Sequence, residues 1–162
     1  MTRQFTLAAL AALLVASSAN AQPMVIDKKV ISAEAARKIA EGCEAYAKER
    51  GWHVSVWVLD ETLTPLYFYR MQGTPMFTVK PALAKAEAAV RTGQPNDAYV
   101  RNAETRGPFV ATVNAIAGGY VLSPGGLPIM VDGQVAGGIG IGGSTDDRAC
   151  AQAGIDAVFK KS

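Results

Sequence analysis

The stretch from Pro124 to Ser144 constrains the fold most. Two apolar runs, Leu127 to Val131 and Gln134 to Ile141, flank Asp132-Gly133. Asp-Gly between strand-like runs predicts a two-residue hairpin turn, because both central positions take positive φ. The second strand is rich in glycine: Gly137, Gly138 and Gly140, with Gly142 and Gly143 following. Glycine in or beside a strand gives up side-chain packing and adds backbone entropy to be lost on folding. Such positions make sense where something must come close to the sheet. A crossing helix, a neighbouring subunit or a flat ligand would each meet that need.

The rest of the chain supplies partners for this hairpin. Ser32 to Arg50 is predicted helical, capped by Ser32 and ended at Gly51, with Ala36, Ile39, Ala40, Cys43 and Ala47 on one stripe. Trp52 to Asp60 is predicted as a strand with Val54, Val56 and Val58 on one face and His53, Ser55, Trp57 and Leu59 on the other. Apolar groups on both faces imply a sheet covered on both sides. Leu66 to Arg70 is a second, antiparallel strand. Val79 to Arg91 is predicted as a helix with Pro81 in its first turn, a stripe of Val79, Leu83, Ala86 and Val90, and a flank of Ala82, Lys85 and Ala89.

Gln94 to Gly107 contains a polar, helix-compatible segment capped by Asn96 or Asp97, and Phe109 to Ile116 fits strand or helix. Gly118 to Leu122 is predicted as a short strand. Thr145 is expected to cap a last helix whose stripe is Cys150, Ala153, Ala157 and Val158. The order α-β-β-α-(α)-β-β-β-α implies one α/β (α+β) domain, an antiparallel sheet with helices packed on it.

Residues 1–21 have the form of a secretory signal: Arg3, an apolar centre from Leu7 to Val15, and Ala19-Asn20-Ala21 as cleavage site. The apolar run is too short to span a bilayer. The domain is expected to occupy residues 22–162, in the periplasm or secreted, with no membrane association after signal removal. The net charge of +2 and the absence of a basic stripe argue against nucleic acid. An exported destination permits a disulfide between Cys43 and Cys150, each on the apolar face of a predicted helix. Two separate buried thiols are the alternative.

Gly138-x-Gly140-x-x-Gly143 matches the dinucleotide fingerprint, but no strand or ribose-binding acid follows it. His53 is the single histidine, so no Ser-His-Asp set assembles. At a strand start it reads first as a structural residue. As a metal ligand it could bind haem iron, with Met71, Met76 and Met130 as weaker candidates. No Cys-x-x-Cys-His is present, which excludes covalent c-type haem. Arg70, Lys80, Lys85 and Arg91 could hold carboxylates. Lys80 and Arg91 read more simply as solvated charges, whereas Lys85 stands among alanines, as at a pocket or subunit contact.

Arg70-Met71-x-Gly73, Lys85-Ala86, Gly125-Gly126-Leu127-Pro128-Ile129, Asp132-Gly133, Gly137-Gly138-Ile139-Gly140-Ile141 and Ala153-Gly154 together resemble the GlcG/HbpS-type haem-binding or haem-degrading domain family. The resemblance covers nearly all of the chain after residue 21 and is most specific from Gly125 to Gly143. It implies a profilin- or PAS-like fold, homo-oligomers and, in one branch, haem binding. This chain departs from the family pattern at Leu63, Gln72, Ala88 and Gly142. The first expectation is therefore an exported binding protein for haem or a related tetrapyrrole. A flat ring would approach the sheet at Gly125, Gly126, Pro128, Gly140 and Gly142, with Arg70 and Lys85 as charge anchors. Two alternatives stand beside it. One is an enzyme acting on a small organic acid or on haem, with Lys85 as a polar catalytic group. The other is an accessory oligomer without a ligand.

Overall fold

A computed structural model describes residues 24–117 and 123–160. The proposed signal segment and the strand expected from Gly118 to Leu122 lie outside the described residues. The elements are α1 (Ala33–Glu49), β1 (Ser55–Asp60), β2 (Pro65–Arg70), a 3-10 turn (Met76–Thr78), α2 (Val79–Thr92), α3 (Asp97–Ala117), β3 (Gly126–Val131), β4 (Gln134–Gly142) and α4 (Asp147–Phe159). Among the described residues, four strands form one antiparallel sheet in the order β2-β1-β4-β3.

Local chemistry explains most of these elements. The Ser32 hydroxyl accepts the Ala35 N–H at 3.1 Å and caps α1. Its predicted stripe of Ala36, Ile39, Ala40, Cys43 and Ala47 is buried. Asp132 and Gly133 have φ of 49° and 76°, as the hairpin turn requires. Gly93 ends α2 in the left-handed region at φ 63°. The cap of α4 is Asp146 rather than Thr145, its carboxylate accepting the Ala149 N–H at 3.0 Å. The ambiguous segment 109–116 is helical. It continues α3 past a kink at Arg106, where φ is −132° and Pro108 follows. That proline lacks the N–H an unbroken helix would use.

Helices cover the sheet on both faces. On one side α1 and α4 pack on Val54, Val56, Val58, Ile139 and Ile141. The Cys43–Cys150 disulfide ties these two helices across 107 residues of sequence. A closed loop of that order is worth roughly 4 to 5 kcal/mol in the chain-entropy account. The two helices also meet at glycines: a Cβ on Gly42 would lie 2.6 Å from Ala157 Cβ, and one on Gly154 2.5 Å from the Ile39 carbonyl oxygen. This crossing buries Ala151 and Gly154, and it leaves the predicted Ala153 and Ala157 only partly covered or exposed.

On the other side lies α2, and it explains the glycine hairpin. A Cβ on Gly142 would lie 2.7 Å from the Thr78 carbonyl oxygen. One on Gly140 would collide with the Ala82 carbonyl oxygen, one on Gly126 with that of Lys85, and one on Gly138 with the Val90 side chain. Thr78, Ala82 and Ala86 are one helical turn apart, about 6 Å, which matches two strand residues. The helix therefore lies along β4, antiparallel to it, backbone on backbone. The buried stripe of α2 is accordingly Ala82, Lys85, Ala86, Ala89 and Val90, while the expected Val79 and Leu83 are only half-buried.

The β1–β2 turn is stapled by one carboxylate. Asp60 accepts the N–H groups of Thr62 and Thr64, each at 2.8 Å, and the Thr62 hydroxyl at 2.7 Å. Those bonds support Leu63 at φ 72°, where a side chain is strained. Partial burial pushes the Asp60 carboxyl up, but the Thr62 hydroxyl and the two backbone donors outweigh it, so its pKa falls below the ordinary value.

Two outcomes test this account. Gly140→Val should destabilise the fold by about 1–3 kcal/mol or more, because the added carbons meet helix backbone that cannot yield; urea unfolding measures it. A depressed pKa means that Asp60 stabilises the fold at neutral pH and loses that contribution as pH falls through its lowered value. The melting-temperature gap between wild type and Asp60→Asn should therefore close in acid.

Candidate functional site

The helix seat leaves part of the sheet open. α2 lies over the glycines of β4, and the same face continues outward through Trp57 to Phe68 and Arg70 of the edge strand β2. Trp57 and Phe68 stack with ring centroids 4.2 Å apart, and the Trp57 indole N–H donates to the Val79 carbonyl at 3.1 Å. The ring on which Phe68 stacks is thus fastened to the start of α2. Beside it the chain turns through Met76–Thr78. The Thr78 hydroxyl donates to the Pro75 carbonyl at 2.8 Å and, that proton being used, accepts from Ser55 at 2.9 Å.

The result is an open cleft of about 610 Å³ lined by Phe68, Arg70, Met76, Phe77, Val79 and Lys80. That size lies within the range of small-molecule sites, and its walls are mostly apolar. Met76 and Phe77 are each 78% exposed and Phe68 is 42% exposed. Arg70 and Lys80 stand at the rim, and Arg70 also donates to the Thr74 carbonyl at 3.4 Å.

A second, more polar cleft of about 430 Å³ shares Phe77 with the first and reaches Ser123, Gly142, Ser144, Lys85 and Asp147. Here Lys85 is nearly inaccessible. Its ammonium donates to Asp147 Oδ2 at 2.6 Å and to the Ile141 carbonyl at 3.0 Å. Asp147 Oδ1 in turn accepts the N–H and hydroxyl of Ser144 at 2.9 and 2.7 Å. The pair locks α2 to the first turn of α4. Gly125, at φ 128°, passes so close that a Cβ would lie 2.5 Å from Asp147 Cβ.

The expected site residues thus separate. Arg70 lines the apolar cleft and Lys85 the polar one, and the other cation lining the apolar cleft is Lys80. Gly126 and Gly140 receive the backbone of α2, so the body pressed against the sheet there is a helix. Gly142 borders the polar cleft, while Pro128 stands on the α2 face of β3 opposite Gly138. His53 lines a third cleft of about 570 Å³ with Glu44, Tyr69 and Met71, its ring against Gly73. Among the described residues no group of three His, Cys, Asp or Glu side chains could hold a metal ion. None of the helices described is long and apolar enough to cross a membrane.

Sequence reasoning passed over Phe68 and Phe77, took Asn96 only as a candidate helix cap, and discounted Lys80. The adjacent Met76-Phe77 in a loop punctuated by Gly73 and Pro75 was the available signal for the cleft. Buried Asn96 accepts the Gly126 N–H and donates to the Ser123 carbonyl, both at 2.8 Å, so it holds the entry to β3. No local pattern announces that clasp, because its partners lie about 30 residues away.

The family described as "Haem degrading protein HbpS-like" matches residues 31–156. The chain belongs to the HbpS-like family. Among solved structures, HbpS of Streptomyces reticuli, in a form carrying two Glu-to-Asp substitutions, is 26% identical with a TM-score of 0.75, over 94% of this chain and 98% of that one. The Klebsiella pneumoniae protein ORFY shares the fold at 22% identity and a TM-score of 0.80, over 88% of this chain and 99% of that one. PduOC, solved as a haem complex, shares it at 22% identity and a TM-score of 0.74, over 80% of this chain and 96% of that one. No curated protein sequence matches the chain. The fold these structures share with the chain is the mixed α/β arrangement expected from the element order, an antiparallel sheet with helices packed on it.

The Lys85–Asp147 pair should behave as a buried brace. Lys85→Met, which strands the Asp147 charge, should destabilise by about 3–5 kcal/mol. A double-mutant cycle with Asp147→Asn should show coupling of about 0.5–3 kcal/mol by chemical denaturation.

Proposed function

We propose that this HbpS-like protein is exported and binds haem or a related tetrapyrrole in the apolar cleft beside β2. The observation that carries the reading is the pairing of aromatic and aliphatic walls with two rim cations, Arg70 and Lys80. Such a ligand is a flat apolar ring bearing carboxylates, and the cleft has a counterpart for each part. Phe68, Phe77 and Val79 would cover the ring. Arg70 and Lys80 would take the carboxylates, Arg70 as a fork and Lys80 as a point charge. Haem held there would supply redox-active iron. Family membership and the haem complex of PduOC support the same ligand class.

Two further parts of the reading have their own support. Residues 1–21 have the form of a secretory signal, and the Cys43–Cys150 disulfide suits an oxidising compartment. Homo-oligomerisation is supported by the edge position of β2 with Phe68 and Tyr69 exposed on it.

A haemin titration of the protein lacking residues 1–21 should give a saturable Soret shift. Arg70→Ala with Lys80→Ala should weaken binding about tenfold or more, equivalent to about 1.4 kcal/mol. Absence of saturable binding by the wild type would remove the proposal.

A further inference from the structure

We propose that Met76 supplies an axial thioether ligand to the iron of haem bound in the apolar cleft. The inference rests on the reading just given, and it concerns one atom, Met76 Sδ. It follows from which side chains in the cleft have a lone pair to offer. Phe68, Phe77 and Val79 have none. Arg70 and Lys80, as guanidinium and ammonium, are donors without an acceptor. Among the described residues lining the cleft, Met76 therefore carries the one side chain with a metal-binding lone pair that needs no proton removed. A thioether is a soft donor that haem iron accepts, and it raises the reduction potential.

The other candidates are held elsewhere. Met71 is buried in the loop after β2, with its sulfur accepting the Val54 N–H at 3.5 Å, and it lines the His53 cleft. Met130 lies on β3, at the opposite edge of the sheet from β2. His53 itself opens on a different cleft.

The placement of Met76 also suits the role. An apolar side chain 78% exposed gains little burial from folding, yet its backbone is fixed. It begins the 3-10 turn that the Thr78, Pro75 and Ser55 bonds hold against β1. An anchored backbone carrying a flexible, unpacked thioether can adjust its sulfur to a ring in the cleft without disturbing the fold.

The test titrates haemin and, in parallel, metal-free protoporphyrin IX into wild type, Met76→Leu, Met76→His and His53→Ala. Circular dichroism would confirm the fold of each, and the exposure of both residues makes its loss unexpected. Ferric wild type should show the near-infrared sulfur-to-iron charge-transfer band and bind haemin more tightly than the metal-free ring. Met76→Leu should lose the band, lower the reduction potential and reduce haemin affinity about tenfold, with protoporphyrin binding unchanged. Met76→His should exchange the band for a histidine-ligated spectrum, and His53→Ala should leave the wild-type spectrum intact. A wild-type complex without the band, or a Met76→Leu complex identical to wild type, overturns the Met76 assignment and leaves the haem reading standing. Loss of the band in His53→Ala overturns it as well. A wild type that takes up neither ring overturns both.

Discussion

The contact between the backbone of α2 and the glycine face of β4 governs the rest of the structure. Strand residues two apart and helix residues four apart advance by nearly the same distance, so carbonyls of Thr78 and Ala82 sit in turn above Gly142 and Gly140. Hydrophobic burial alone would favour larger side chains at such an interface, at about 25 cal/mol for each Å² of apolar surface covered. Here close approach is what has been kept. It sets the height of the helix over the sheet, and through it the depth at which Lys85 lies buried.

From that height two different environments follow. Where α2 covers the sheet, Lys85 has lost its water and is compensated by Asp147 and the Ile141 carbonyl. A buried ammonium is tolerable only with such partners. Where the helix begins, the half-buried Trp57 leads out to the exposed Phe68, and the turn carrying Met76 and Phe77 lines the same cleft. One packing decision thus yields both a brace between α2 and α4 and an open apolar cleft with cations at its rim. The lysine that looked like an anchor became part of the brace, and the lysine that looked like plain surface stands at the cleft.

The opposite face is organised by the same economy of volume. Gly42 and Gly154 bring α1 and α4 together closely enough for Cys43 to meet Cys150. The disulfide restrains two segments near the ends of the described chain, on the face of the sheet away from β2's exposed Phe68 and the turn at Met76.

By itself the sequence determined what depends on neighbours a few residues apart. The Asp132-Gly133 turn, the Ser32 cap with its buried stripe, the two-sided β1 strand and the end of α2 at Gly93 are all local matters of φ, period and hydrogen bonding, and the motifs that carry the family resemblance are short runs of the same kind, most specific from Gly125 to Gly143. Only the tertiary structure decided what the glycines were for, that Lys85 faces Asp147 across 62 residues, that Asn96 clasps the entry to β3, and that Arg70 shares a cleft with Lys80 and Met76. Those meetings depend on the register of the strands and on where a helix comes to rest upon them. Register and rest position are set by the summed packing of the whole chain, so no short stretch of residues carries them.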